Sequence, residues 1–209
     1  MKNPYKSYYP YHVYNRYNKR FLNQYQIPKT TSTPVVLSPG LIGSWLDALG
    51  TVVAAIGSTP SKVIPATILE DFVFIGNSLQ GIGSALVVES PETLENDRVG
   101  SAIQSIGNLT VLIALLQDEG RPSRRLNKQG NLLQALGGGV SFNYDGEITS
   151  INNIGNGLQV LGNSLQALSL KESLFDTEEG ELMDVAGSWI QAVGTIISAL
   201  SYEGAERGG

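Results

Sequence analysis

Cysteine is absent from this chain of 209 residues, and histidine occurs once, as His12. Without cysteine the chain forms no disulfide bonds, thiolate metal sites or cysteine nucleophiles. One histidine cannot supply a multi-histidine metal site, and no acidic residue lies within residues 1–34 to orient it as in a catalytic triad. Phosphate-binding loops, dinucleotide fingerprints and the Gly-x-Ser-x-Gly motif of hydrolases are also absent. We therefore expect no enzymatic activity, no metal or other cofactor and no small-molecule substrate.

Long apolar runs are scarce as well. The N-terminus lacks the apolar run of about 7–15 residues, followed by small residues, that marks a secretory signal. The longest apolar stretch, residues 41–56, is interrupted by Asp47 and contains several Gly and Ser residues, which disfavours a membrane-spanning helix. The expected location is therefore the cytoplasm, or a spore or extracellular assembly built from it.

Charge is divided unevenly along the chain. Residues 1–34 contain six basic and no acidic residues, together with seven of the nine tyrosines, whereas residues 35–209 contain eight basic and 19 acidic residues. The first segment has too few aliphatic residues to offset its chain entropy, so we expect a cationic arm over 1–34 that is disordered alone and an acidic helical-repeat domain over 35–209. The arm residues expected to dock on a neighbouring subunit are Tyr5, Tyr8, Tyr9, Tyr11, Tyr14, Arg16, Tyr17, Arg20 and Tyr25.

A nine-residue unit recurs six times beyond Pro34. It consists of an apolar residue, Gly, Ser or Asn, any residue, an apolar residue, Gln or Asp, a small residue, an apolar residue and a second Gly. Large apolar residues in and after the first copy recur at steps of three and one, which is typical of an α-helix. The pattern predicts an all-α fold of about six helices packed as a compact bundle, with at most one minor β-hairpin near 140–148. The large residues, including Trp45 and Trp189, are expected in the core.

The repeated glycines predict close packing between helices. A glycine inside a helix costs about 1 kcal/mol relative to alanine, so its regular recurrence favours a role in the close approach of a neighbouring backbone. The glycines concerned are Gly43, Gly50, Gly76, Gly83, Gly100, Gly107, Gly137, Gly155, Gly162, Gly187 and Gly194.

A polar residue follows the leading glycine of each unit by four positions, which puts it on a similar face of the helix. We expect these side chains to form hydrogen bonds across the tight seams between helices. They are Asp47, Gln80, Gln104, Gln134, Gln159 and Gln191.

Two segments resemble known classes of protein. The sequences GNSLQ at residues 76–80 and GSWIQ at residues 187–191 resemble uncharacterised, glycine-punctuated repetitive helical proteins of endospore-forming bacteria. The segment over residues 8–17, YYPYHVYNRY, is similar to tyrosine-rich stretches of spore-coat proteins. These resemblances imply no activity, but they favour a spore-associated or self-assembling structural role.

Three functions remain open. The leading interpretation is a non-enzymatic structural protein that assembles with itself into an oligomer, fibre, layer or crystal, because the cationic arm complements the acidic body of another copy. The alternative is a membrane-active protein, pore-forming or membrane-remodelling, whose glycine-edged helices insert into lipid. The third is nucleic-acid binding through stacking of the arm tyrosines on bases, which the acidic body disfavours.

Overall fold

A computed structural model describes residues 37–142 and 150–208, with side chains described as far as Tyr202. These residues form six helices and no strand: α1 Pro39–Gly57, α2 Ala66–Glu89, α3 Glu95–Leu115, α4 Arg121–Val140, α5 Ile151–Ser169 and α6 Glu178–Gly208. The predicted all-α bundle of six helices is confirmed. Val140 ends α4, and the rest of the proposed hairpin near 140–148 lies largely outside the described residues, as does the arm over 1–34.

Local sequence explains where two of the helices begin. The Ser38 hydroxyl accepts a hydrogen bond from the Leu41 amide (3.0 Å), and Pro39 occupies the first turn of α1, where a missing N–H costs nothing. The Ser150 hydroxyl accepts from the Asn153 amide (3.3 Å) at the start of α5. Both helices therefore begin at capping residues that the sequence supplies.

The six helices form a closed ring. Each helix contacts the helices before and after it in the chain, and α1 contacts α6. The helices form three antiparallel hairpins, α1–α2, α3–α4 and α5–α6, because Gly43 and Gly50 of α1 face Gly83 and Gly76 of α2, respectively, and the other two pairs follow the same pattern. The repeat of the sequence thus becomes a repeat of hairpins around a common axis.

The interior of the ring is polar, which corrects the expected core. Trp189 is 40 % exposed and Ile106 is 57 % exposed, whereas Asn108 and Gln134 are each 2 % exposed. The apolar side chains that are buried in the described residues are small or few: Leu41, Val87, Val111 and alanines at 48, 54, 55, 114, 135, 167, 192 and 199. The large apolar residues that we expected to form the core are therefore exposed or, like Trp45, half-buried.

The repeat explains this distribution through the angle between successive residues. Each residue turns an α-helix by about 100°. The glycine lies at the contact between two helices, so the apolar residue before it, such as Ile106, points outward, and the Ser, Asn or Thr after it, such as Asn108, points inward. The outward residues at this position that are exposed are Ile42, Leu49, Ile75, Ile82, Val99, Ile106, Leu136, Ile154, Leu161 and Val193.

Candidate functional site

The repeat glycines lie in pairs at the seam of each hairpin. A Cβ atom built at Gly43 would lie 2.5 Å from the carbonyl oxygen of Gly83, and one built at Gly50 would lie 2.6 Å from that of Gly76. Such distances are shorter than real Cβ contacts, so no larger residue fits without moving a helix. The remaining pairs, at 2.5–2.8 Å, are Gly100 with Gly137, Gly107 with Gly130, Gly155 with Gly194, and Gly162 with Gly187.

The six polar residues of the repeat lie near the middle of the six helices, one on each helix. Asp47 belongs to α1, and the other five helices each carry a glutamine at the same repeat position: Gln80, Gln104, Gln134, Gln159 and Gln191. All five glutamines are buried. We call these six residues the polar ring.

The glutamines of the polar ring bond across the interior. Gln191 donates to the side-chain oxygens of Gln80 (3.0 Å) and Gln134 (3.2 Å), and Gln104 donates to that of Gln159 (3.1 Å). These bonds join α6 to α2 and α4, and α3 to α5, none of which are neighbours in the closed ring. Bonds across a tight seam also occur, in the α5–α6 hairpin: Gln191 accepts from Gln166 (2.8 Å), and Gln159 donates to the Ser198 hydroxyl (3.0 Å). The ring residues therefore bond both across a seam, as expected, and across the interior. Four residues turn a helix by about 400°, which puts each amide about 40° past its glycine, toward the axis.

Asp47 differs from the other five members in its surroundings. It lines a cavity of about 70 Å³ together with Ser44, Gln104, Gln159 and other polar residues of the interior. Its carboxyl group lies beside the hydroxyl of Ser84, a residue that is 1 % exposed. The cavity thus adjoins the position of the polar ring at which a shorter, charged side chain takes the place of glutamine.

Two further carboxyl groups lie toward the ends of the interior. Asp97, beside Asn152, lines the same cavity near the start of α3. Asp184, beside Ser58 and Ser169, lies toward the opposite end of the ring, near the start of α6. Within the described residues no three acidic or histidine side chains are grouped so that they could hold a metal ion.

Charged residues lie toward the helix ends, except for Asp47 in the middle of α1 and for α4, where they extend from Arg121 to Lys128. Between the terminal turns, α1 carries only Asp47, and α5 carries no charged residue. The other helices are uncharged between Asp71 and Glu89 in α2, after Arg98 in α3, after Lys128 in α4, and between Asp184 and Tyr202 in α6. We call this uncharged middle zone the apolar belt, since its outward residues are Ile, Leu and Val.

Four helices are long and apolar enough to cross a membrane, judged by length and composition alone. They are Pro39–Gly57, Ala66–Glu89, Glu95–Leu115 and Glu178–Tyr202. The first includes the stretch over 41–56, where Asp47 was expected to disfavour a span. From the sequence, the charge of Asp47 was expected to keep the whole helix out of a bilayer. In the ring, however, this side chain lines an interior cavity.

A basic groove lies at the end of the ring where α4 begins. Arg121, Arg124, Arg125 and Lys128 of α4 and Lys171 after α5 line it, together with Glu172. Arg121 forms an exposed ion pair with Glu172 (3.1 Å), and the Arg124 guanidinium lies 4.0 Å from the centre of the Phe175 ring. This groove was not predicted from the sequence.

Comparison with known proteins places the chain in a family without assigning it an activity. The model of a family of unknown function, DUF6944, matches residues 39–199, which is more than half of the chain, and the chain belongs to this family. No curated protein and no solved structure matches it. The matched residues cover the six repeat units. The resemblance to helical proteins of endospore-forming bacteria stays a prediction, as does the docking role of the tyrosine arm, which lies outside the described residues.

Proposed function

We propose that the chain is a non-enzymatic integral membrane protein whose six-helix ring is embedded in a lipid bilayer. The observation that carries this proposal is a distribution of side chains opposite to that of a soluble protein. Amides and hydroxyls lie in the interior, and large aliphatic residues lie on the surface. Soluble monomers rarely expose contiguous apolar areas larger than a few hundred Å². In hydrocarbon the same surface is solvated, while polar groups must find partners inside the protein.

The lengths of the helices support a bilayer location. Helices α1 to α5 contain 19–24 residues. At 1.5 Å per residue these lengths are about 30–35 Å, close to the thickness of the hydrocarbon core of a typical bilayer, although the uncharged part of α4, residues 129–140, is shorter, about 18 Å. Confinement of nearly all charges to the helix ends would leave those charges in the headgroup region on either side.

The contacts between helices are of the kind that hold helices together in lipid. Apolar burial does not drive association in hydrocarbon, so close backbone packing through glycine and side-chain hydrogen bonds take its place. The paired glycines of each hairpin and the amide bonds of the polar ring supply these two interactions. The basic groove at the α4 end adds cations that would meet anionic headgroups.

Self-assembly, the leading expectation from sequence, would cover the same surface with further copies of the chain. The distribution of the outward residues favours lipid instead. Exposed large aliphatic residues occur in the middle of all six helices, as at Leu49, Ile106, Leu161 and Val193. An interface with one partner needs an apolar patch on one side, whereas a surrounding apolar solvent needs an apolar surface all around.

The absence of cysteine makes a labelling test direct. Ile106→Cys lies on the outer face in the middle of α3, and Leu116→Cys lies just beyond the end of that helix; both native side chains are exposed. Each variant is labelled with bimane and reconstituted into vesicles with lipids brominated in the middle of the acyl chain. We expect strong quenching at position 106 and weak quenching at position 116, because bromine quenches at short range.

Two results would count against the membrane proposal. If the protein fails to float with vesicles and neither label is quenched, the ring is not embedded. If pyrene at position 106 forms excimers in aqueous solution without lipid, copies of the chain cover this face, and the self-assembly interpretation is favoured.

A further inference from the structure

We propose that the cavity beside Asp47 binds a small monovalent cation in the middle of the six-helix ring. Asp47 departs from the pattern of the repeat. Five helices place a glutamine at this position, and the five amides are buried and bonded to one another in two groups. Only α1 carries a carboxylate there, and the cavity lies beside it.

The size of the side chain explains why a cavity accompanies this departure. Aspartate is shorter than glutamine by one methylene group, so at this position it reaches less far toward the axis than its five counterparts. The cavity of about 70 Å³ is bounded by Gln104 and Gln159, the two amides of the ring that bond to each other. A water molecule occupies about 30 Å³ in the liquid, so the space suits one small ion with a water molecule.

The lining offers oxygen ligands around one negative charge in the belt. Hydroxyl groups of Ser44, Ser101, Thr195 and Ser198 line the cavity with the Asp47 carboxyl, and no basic side chain of the described residues does. The buried Ser84 hydroxyl lies on the Asp47 carboxyl, next to this lining. Hydroxyl, carbonyl and carboxylate oxygens are the ligands that hard cations take in proteins.

The single carboxylate at the level of the polar ring favours a monovalent ion. Asp47 is the only charged residue of the apolar belt, and a buried charge is costly unless a charge of opposite sign lies beside it. One positive charge neutralises it within the ring. Asp97, which lines the cavity nearer the helix ends, would attract cations to the entrance. The interior beyond is crossed by the Gln80–Gln191–Gln134 bonds, so the geometry describes a binding site reached from one end.

Thermal unfolding of the full chain in detergent tests this inference. Melting temperatures are compared in lithium, sodium, potassium, calcium, magnesium and N-methylglucamine chlorides at one ionic strength. We expect at least one alkali chloride to raise the melting temperature saturably by about 5 °C over N-methylglucamine, because a ligand of the native state stabilises it. Asp47→Gln, which restores the residue of the other five helices, should fold and lose this shift. Asp118→Asn, in the exposed segment after α3, should keep it.

Any of three other outcomes would contradict the proposed cation site. An equal shift in the native chain and in Asp47→Gln would be a general salt effect, no shift would mean no binding, and a shift with Ca²⁺ or Mg²⁺ alone would mean a divalent site. If Asp47→Gln does not fold, Asp47→Asn is measured in its place, with the same loss expected. This inference does not depend on a bilayer: a cation shift in a protein that fails to enter vesicles would refute the membrane proposal alone.

Discussion

Gly43 and Gly83 face each other so closely that a Cβ atom on either one would lie 2.5 Å from the carbonyl oxygen of the other. The contact joins α1 to α2, and equivalent contacts join the helices of the other two hairpins. Backbone against backbone is thus the contact that sets the spacing within each hairpin, and it explains why glycine recurs despite its low helix propensity.

The first prediction concerns this contact. Gly83→Ala should lower the free energy of unfolding by about 1–3 kcal/mol, because the new methyl group collides with backbone that can move only with its helix. Gly139→Ala is the matched control, since a Cβ there meets no atom within 4 Å, and it should raise stability by about 0.5–1 kcal/mol through helix propensity. Denaturant titration in detergent measures both, and equal effects would refute the close-packing role.

The second prediction concerns the polar ring. Gln191→Leu removes the amide that donates to both Gln80 and Gln134. The buried side-chain oxygens of these two residues then lose this donor. Unpaired buried polar groups cost about 1–3 kcal/mol each, so we expect a clear loss of stability. Gln117→Leu, on the exposed segment after α3, serves as control and should change stability little. Stability of the Gln191 variant at or above that of the native chain would indicate that the ring's hydrogen bonds are dispensable.

The third prediction concerns the apolar belt. Ile106→Lys introduces a charge in the middle of the outward face of α3, which costs about 2.5–3.5 kcal/mol at the centre of a bilayer. We expect less protein in carbonate-washed membranes than for the native chain. Leu116→Lys, beyond the helix end, should insert normally. Should Ile106→Lys insert as well as the control, the outward face of α3 does not contact hydrocarbon.

The fourth prediction concerns Trp189. Its indole N–H donates to the Thr59 hydroxyl (3.0 Å), a bond that links α6 to the segment after α1. Thr59→Val removes the acceptor and should change the fluorescence of Trp189 measured in a Trp45→Phe background. Thr110→Val, whose hydroxyl bonds only within α3, should leave the spectrum unchanged. Identical spectra for the two variants would mean that the bond does not form.

The fifth prediction concerns the N-terminal arm. Deletion of residues 1–34 removes six basic residues and seven tyrosines from an acidic body that contains all six repeat units. Circular dichroism should retain the helical signal; if the arm docks on neighbouring copies, light scattering should show smaller assemblies, because the cationic segment has been lost. Unchanged assembly size would remove the proposed docking role of the arm.

Some residues of the site could be predicted from the sequence, and others could not. Gly100 and Gln104 could be recognised from the repeat, because their spacing holds in every copy. The cavity at Asp47 could not, since it depends on helices far apart in the chain meeting at one axis. One signal was nevertheless visible: aspartate stands once where glutamine stands five times. The basic groove also needed the fold, because α4 and Lys171 lie about forty residues apart in sequence.

The sequence by itself determined the helices, the glycine contacts and the angles between the apolar, glycine and polar faces, because these follow from local propensity and from the turn of about 100° per residue. It did not determine which face is the interior. A periodic pattern specifies two opposite faces equally well, so Ile106 and Asn108 could each have pointed inward. Only closure of the ring decided this, because the packing of the three glycine-paired hairpins against one another buries the small and amide side chains and leaves the large aliphatic ones outside.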